Sequence, residues 1–216
     1  MNYPNMFAEL LSGLLVSVEI FVLTLVFALP LGLLVALGRM SKICIVRNVF
    51  RVYISVMRGT PLMLQLLVCF FGPYYFFHIS LPSGYRFIAV IIAFSLNYAA
   101  YFAEIYGGGI ESMAVGQYEA ARVLGYSAPQ TFFKIILPQV IKRIIPPVTN
   151  EVITLVKDTS LAFSLSVLEM FTIAKQISSA HTTMVPFVVA GVFYYIFNFV
   201  VAAGMGLLEK RLNYYR

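Results

Sequence analysis

The sequence predicts an all-α integral membrane protein with five transmembrane helices and a cytoplasmic loop of two short helices. Three observations indicate this fold class. Hydrophobic residues make up 61% of the 216 residues and charged residues only 11%, against about 25% charged in an ordinary soluble domain. Five apolar runs are each long enough to cross a bilayer, which takes about 20 residues. The stretch 107–143, in contrast, is much more polar than the rest.

The five predicted spans follow one another along a single domain, residues 1–216. We place them near residues 13–38, 54–77, 86–106, 146–170 and 185–208. The first Lys or Arg is Arg39, after the first apolar run. That run therefore lacks the basic segment of a cleavable signal peptide and is expected to remain as a span. The second run is interrupted by Arg58-Gly59-Thr60-Pro61, and the fourth is polar along one side.

The distribution of basic residues predicts the orientation in the membrane, because Lys and Arg favour cytoplasmic segments. Most of the 15 Lys and Arg residues lie in the segment 39–51, in the stretch 107–143 or after residue 208. Five spans put these three segments on one side. We therefore expect the N-terminus outside and both the loop 107–143 and the C-terminus in the cytoplasm. The net charge of +6 is a topology signal, and the composition excludes a soluble nucleic-acid-binding protein.

The polar loop is predicted to contain two short helices. Residues 117–124 favour a helix that ends at Gly125, since glycine suits the left-handed conformation of a C-terminal cap. Ser127 and Gln130 predict the start of a second helix, as N-cap and partner in a capping box. We expect Leu137-Pro138 to end it. Aromatic side chains beside small residues predict a surface that meets a partner protein.

The same loop carries a spaced motif. Glu119-Ala120-Ala121 is followed by Gly125 after four residues and then by Ile135-x-Leu137-Pro138. This pattern resembles the EAA loop of the permease subunits of ATP-binding-cassette (ABC) importers. Arg58-Gly59-Thr60-Pro61 and the segment 157–161, Lys-Asp-Thr-Ser-Leu, resemble signatures of the polar amino-acid subfamily, which includes histidine, glutamine and arginine permeases.

The resemblance implies that the loop is a coupling helix that docks on a separate ATPase subunit. Its contact positions would be Glu119, Ala120, Ala121 and Gly125. The resemblance also implies a second permease subunit (another copy or a paralogue), an extracytoplasmic solute-binding protein and a place in the inner membrane of a bacterial cell. The sequence has no G-x-x-x-x-G-K-S/T loop for phosphate binding. We therefore expect a non-catalytic chain without a cofactor, with ATP and Mg²⁺ held by the partner ATPase.

Polar residues inside the apolar runs predict a substrate site. An ionisable group at membrane depth is costly, so it should face protein, water or substrate. Asn150 and Lys157 are seven residues apart, as are Glu151 and Asp158, which gives two adjacent stripes on one helix face. The residues predicted to bind substrate are Arg58, Thr60, Gln65, Asn97, Asn150, Glu151 and Asp158.

A broken second span favours a carboxylate ligand. Thr60 is expected to N-cap a half-helix, whose free amides and dipole attract an anion. Our hypothesis places the α-carboxylate of an amino acid near Thr60 and Arg58 and a basic side chain at Glu151, with Asp158 as a second candidate. Asn150-Glu151 also resembles family members that carry basic amino acids, whereas Gln in the second place goes with glutamine. The predicted substrate is arginine, lysine or histidine.

Other interpretations of these residues stay open at this point. Arg58 could reach the lipid headgroups, Lys157 and Asp158 could neutralise charges between helices, and the amides could join helices by hydrogen bonds. The functional alternatives are an ion-coupled secondary transporter, a neutral substrate such as glutamine, and a membrane-embedded enzyme. The spacing of His and Cys predicts no metal site, and no Ser-His-Asp set predicts catalysis.

Overall fold

The computed structural model describes residues 3–82 and 84–212, and the regular structure in that part of the chain is helical. The helices are α1 (Tyr3–Arg39), α2 (Cys44–Gly59), α3 (Leu62–Phe77), α4 (Tyr85–Glu111), α5 (Val115–Val123), α6 (Ala128–Thr131), α7 (Leu137–Asp158), α8 (Met170–His181) and α9 (Val185–Leu212). A π-turn at Phe132–Ile136 precedes α7, and a 3₁₀ segment at Thr159–Leu165 follows it. Residues 213–216, part of the basic tail used for the orientation, lie outside the described residues.

The predicted all-α membrane fold is confirmed. Within the described residues, α1, α4 and α9 are long and apolar enough to cross a membrane alone, and the bent pair of α2 and α3 is a fourth candidate. These elements correspond to the first, third, fifth and second predicted spans. The number of five spans stays a prediction. The fourth predicted span lies partly along α7, which is too polar to be recognised by length and hydropathy.

The second predicted span, 54–77, is interrupted at the predicted break, and it forms two helices. Its first residues belong to α2, and α3 leaves the break at an angle of 111°. The cause is Pro61, which forces the preceding residue out of the helical region. Thr60 is accordingly extended, with φ −120° and ψ 146°. The break therefore positions the first turn of α3 inside the protein.

The predicted fourth span, 146–170, is not one helix over its whole length. Helix α7 begins at Leu137 and gives way to the 3₁₀ segment after Asp158. The chain then turns at Ser166, whose φ is +56°. Glu169 caps the next helix, α8, which the sequence analysis did not predict, by accepting the backbone amides of Phe171 and Thr172 at 2.7 Å each.

Helix α4 forms the centre of the molecule. It packs along α1 and also contacts α2, α3 and α7. Its aromatic side chains Phe94, Tyr98 and Phe102 are almost fully buried. The turn before α8 is fixed to α9, because Tyr194 donates a hydrogen bond of 3.0 Å to the buried carboxylate of Glu169. Helix α7 therefore packs directly against this central helix.

Helix α1 approaches the start of α8 closely at Gly13, and this contact gives a first prediction. A Cβ atom at Gly13 would lie 2.7 Å from the Cα of Met170. Because a backbone atom cannot rotate away, Gly13→Ala is expected to destabilise the protein by about 1–3 kcal/mol. The measurement is the melting temperature of the purified protein. In the matched control, Gly191→Ala in α9, the added Cβ meets no atom within 4 Å; similar melting temperatures for both variants would contradict the packing argument.

Candidate functional site

A polar cavity of about 390 Å³ lies where the break between α2 and α3 faces α4 and α7. Its size falls in the range of about 300–1,000 Å³ that small-molecule sites occupy. The residues lining it are Thr60, Pro61, Leu62, Asn97, Tyr98, Tyr101, Glu151, Thr154 and Asp158. This set joins the helix break to the predicted acidic stripe.

Helix α7 contributes the acidic wall of the cavity. Glu151, Thr154 and Asp158 follow one another at intervals of three and four residues, so they share one helix face. The hydroxyl of Tyr98 donates a hydrogen bond of 2.7 Å to Oδ2 of Asp158. Among the described residues that line the cavity, two are carboxylates and none is Lys or Arg. The cavity therefore attracts cations.

The second predicted stripe of α7 points elsewhere. Asn150 and Lys157 are exposed and are not among the lining residues. The expected single polar face is thus divided, because the buried side chains of Val152, Leu155 and Val156 set the rotation of α7 against the core. The placement does not support the prediction that Asn150 binds substrate within this chain.

Gln65 and Asn97 hold the helix break together. The Gln65 amide nitrogen donates to the carbonyl of Met57 at 2.9 Å and to Oγ1 of Thr60 at 2.8 Å. The Asn97 amide nitrogen donates to the same Met57 carbonyl and to Oε1 of Gln65, both at 3.0 Å. The hydrogen-bonding alternative is therefore observed for both residues, and Asn97 in addition faces the cavity.

Thr60 does not cap α3 as expected. Pro61 occupies the N-cap position, and no side chain caps the helix there. The Thr60 hydroxyl instead donates to the carbonyl of Val56 at 2.8 Å, in the last turn of α2. The first turn of α3 still faces the cavity through Pro61 and Leu62, so the amino-terminal end of the helix remains available to an anion.

Arg58 stands beside the cavity in an ion pair. Its Nη1 atom lies 3.3 Å from Oε2 of Glu104, and its Cζ atom lies 5.4 Å from the ring centre of Tyr101. Glu104 also pairs with Arg39 at 2.5 Å. Arg58 therefore contacts α4 through both Glu104 and Tyr101.

The two tyrosines that line the cavity, Tyr98 and Tyr101, were not predicted from the sequence. Tyr98 and Tyr101 are four and seven residues after Phe94 in an apolar run and were not distinguished from core residues. Their positions one and four residues after Asn97 were the available signal, because residues four apart share a helix face. Thr154, midway along the acidic stripe, could have been found in the same way.

The predicted turn of the polar loop is confirmed in detail. Helix α5 ends at Val123, and Gly125 follows its C-cap with a φ of +78°. The amide of Tyr126 donates to the carbonyl of Ala121 at 3.0 Å. This pattern is a Schellman cap. The capping box is present as well, with Ser127 and Gln130 bonded to each other's backbone amides.

The second helix of the loop does not end at Leu137-Pro138 as expected. Helix α6 continues through the π-turn into α7, and the amide of Leu137 donates to the carbonyl of Phe132. The wider turn accommodates Pro138, which lacks an amide hydrogen and would clash with the carbonyl four residues earlier in an α-helix. The loop is therefore joined without interruption to the helix that carries Glu151 and Asp158.

Most of the motif is accessible. Glu119, Ala120 and Gly125 are exposed, whereas Ala121 has 0% of its surface accessible. Ala121 therefore packs inside the loop, and its role as a contact position stays a prediction. Around the motif lies an exposed apolar patch, formed by Val115, Val123, Leu124, Tyr126 and Phe133.

Comparison with known proteins identifies the family. Residues 28–214 match the family model described as the binding-protein-dependent transport system inner membrane component. The chain belongs to this family. The resemblance to ABC importer permeases that the loop motif indicated is therefore confirmed.

Individual relatives of this inner membrane component cover nearly the whole chain. The L-cystine transport system permease protein TcyB of Bacillus subtilis is 38% identical, over 94% of this chain and 86% of its own. The nopaline transport system permease protein NocM of Agrobacterium fabrum is 36% identical, over 96% and 89%.

Solved structures share the fold. The crystal structure of an amino acid ABC transporter with histidines superimposes with a TM-score of 0.88 at 30% identity, covering 97% of this chain and 96% of that chain. An inward-facing MetNI methionine ABC transporter gives a TM-score of 0.73 at 17% identity, over 99% of this chain and 100% of that chain, and supports the fold alone. Among the described residues, no group of three or more His, Cys, Asp or Glu could hold a metal ion.

Proposed function

We propose that this chain is the transmembrane subunit of an ATP-driven importer of basic amino acids. One observation carries the proposal: Glu151 and Asp158 share one cavity beside a broken helix, in a member of the importer family. The subunit would lie in a bacterial inner membrane with its N-terminus outside and the loop and C-terminus in the cytoplasm. It would provide the pathway and perform no covalent chemistry.

The charge of the cavity favours a substrate with two positive groups. An arginine or lysine molecule has an α-ammonium group and a cationic side chain, which can neutralise the Glu151 and Asp158 carboxylates separately. The α-carboxylate would then lie toward the first turn of α3 and Arg58. A neutral amino acid would leave one half-buried carboxylate without a partner, and an uncompensated charge of that kind is costly.

The exposed loop supports coupling to a separate ATPase. The exposed apolar patch surrounds Glu119, Ala120 and Gly125, and the continuous helix from α6 into α7 connects this surface with the cavity. Docking of an ATPase subunit on the patch would therefore move α7 directly. ATP and Mg²⁺ would be held by that subunit, a second permease subunit would complete the pathway, and an extracytoplasmic binding protein would deliver the substrate.

A neutral polar amino acid is the second candidate substrate. Relatives are named as transport permeases for L-cystine and, in Rickettsia typhi, putatively for glutamine. The cavity's aromatic and threonine groups could bind such a side chain by hydrogen bonds. The charge argument favours the basic substrate, and direct uptake measurements with both classes decide between them.

Uptake into proteoliposomes tests the proposed function. The permease, reconstituted with its co-purifying ATPase and solute-binding protein, is expected to accumulate arginine, lysine or histidine when ATP is enclosed with the ATPase. Ionophores should leave the rate unchanged, because no ion gradient supplies the energy. Vesicles loaded with ADP serve as the control. Uptake driven by an imposed proton or sodium gradient without ATP would contradict the proposal.

A further inference from the structure

Three charged residues join the C-terminal parts of α1, α2 and α4 into one ion cluster, defined as Arg39, Arg58 and Glu104. A single oxygen of Glu104, Oε2, lies 2.5 Å from Nη1 of Arg39 and 3.3 Å from Nη1 of Arg58. Glu111 lies farther from Arg39, at 3.7 Å, and its side chain is 58% exposed. Glu104 is therefore the shared counterion of two guanidinium groups.

The ion cluster lies next to a residue that lines the cavity. The guanidinium of Arg58 is 5.4 Å from the ring centre of Tyr101, which lines the cavity. Arg58 precedes Thr60 by two residues and the first residue of α3, Leu62, by four. None of the described residues that line the cavity is Lys or Arg.

We infer that Glu104 is a positioning residue that sets the affinity of the cavity for the substrate carboxylate, by competing with it for Arg58. The inference rests on the proposed function and adds a specificity determinant to it. In the empty site Arg58 is held by Glu104. When an amino acid enters, its α-carboxylate replaces Glu104 as the partner of the guanidinium.

The shared counterion makes this exchange possible. Separation of an ordinary half-buried ion pair leaves an uncompensated charge, which is strongly unfavourable. Here Glu104 stays paired with Arg39 after Arg58 is released, and Arg58 gains the bidentate partner that a guanidinium prefers. Each of the three charged groups in the ion cluster therefore has a partner with and without substrate. Arg39 therefore supports carboxylate binding without approaching the substrate.

Two variants are expected to change the affinity in opposite directions. Glu104→Gln removes the competitor, so arginine should bind about fivefold more tightly, the ratio expected for loss of a partly exposed ion pair. Arg39→Gln leaves Glu104 with Arg58 as its main partner, so arginine should bind about fivefold more weakly. Glu111→Gln is the matched control and should leave the affinity unchanged.

The experiment uses the full permease–ATPase complex in lipid nanodiscs, without ATP or binding protein. Dissociation constants are measured for arginine and for arginine methyl ester, which lacks the carboxylate charge. The variants should change the constant for arginine and leave that for the ester at its wild-type value. The opposite signs of the two variants separate the proposed role from general damage to the fold, and melting temperatures check the fold independently.

The outcomes distinguish this inference from the proposed function. Equal changes for arginine and its ester, or changes of the same sign in both variants, would overturn the role of Glu104 and leave the importer proposal intact. A wild-type complex that neither binds nor transports basic amino acids would overturn the substrate proposal, and the competition for Arg58 with it.

Discussion

Gly125→Val is expected to lower ATP-driven uptake at least about tenfold while the membrane-embedded helices stay folded. The φ of Gly125 is +78°, a conformation that costs a residue with a side chain roughly 1–2 kcal/mol and a β-branched one more. Loss of the Schellman cap would redirect the chain between α5 and α6. Because this turn lies within the exposed apolar patch, the surface offered to the ATPase would change shape.

The measurement combines uptake, ATPase rate and melting temperature of the reconstituted complex. Uptake should fall while ATP hydrolysis continues without coupling. An added Cβ at Gly125 meets no atom within 4 Å, so the cost is confined to local backbone strain, and the melting temperature should fall by no more than about several degrees. Wild-type uptake by Gly125→Val would refute the coupling role of the loop.

Two further variants separate the backbone effect from the effect of bulk. Gly116, which lies in α5, has equally open surroundings and no positive φ, so Gly116→Val should retain most uptake. Asn tolerates the left-handed conformation better than other residues, so Gly125→Asn should fall between wild type and Gly125→Val. The same loss in both valine variants would indicate that bulk anywhere on α5 is harmful.

The structure of the polar loop could be predicted because its signals are local. Gly125 needs only its own backbone conformation, and Ser127 and Gln130 bond within one turn. The end of the second helix could not be predicted in the same way. Pro138 normally stops a helix, and the π-turn that accommodates it depends on how Ile136 and Val140 pack with Met113 at the end of α4.

The spans were predicted as far as hydropathy alone determines them. Helices α1, α4 and α9 each contain a long apolar stretch, and their positions were found. Hydropathy does not report direction, so the angle of 111° between α2 and α3 was missed although its cause, Pro61, was recognised. Helix α8 is short and mixed in polarity, and Glu169 three residues before Thr172 was its only capping signal.

The residues of the site were predicted more accurately than their roles. Periodicity placed Glu151 and Asp158 on one face, but it cannot say which side of α7 turns inward. That rotation follows from the packing of Leu155 and Val156 in the core. The choice of ion-pair partner also depends on the tertiary structure. The pairing of Arg58 with Glu104, 46 positions away in the sequence, could therefore not be predicted.

Glu151→Gln is expected to reduce uptake of arginine, lysine and histidine at least about tenfold and that of glutamine much less. The substitution keeps the size of the side chain and removes the charge that would pair with a cationic substrate. A charge-assisted hydrogen bond is worth about 1.5–3 kcal/mol, which corresponds to a factor of roughly ten to a hundred. The measurement is the ratio of arginine to glutamine uptake in the reconstituted system.

Asn150→Ala is the matched control, because Asn150 lies on the neighbouring stripe of α7, outside the cavity. It should leave the uptake ratio at its wild-type value. Asp158→Asn should have a smaller effect than Glu151→Gln, since an amide oxygen can still accept the hydrogen bond from Tyr98. The ratio is informative where the absolute rate is not: damage to the helix or to coupling lowers uptake of both amino acids together, whereas loss of a cation partner lowers only one.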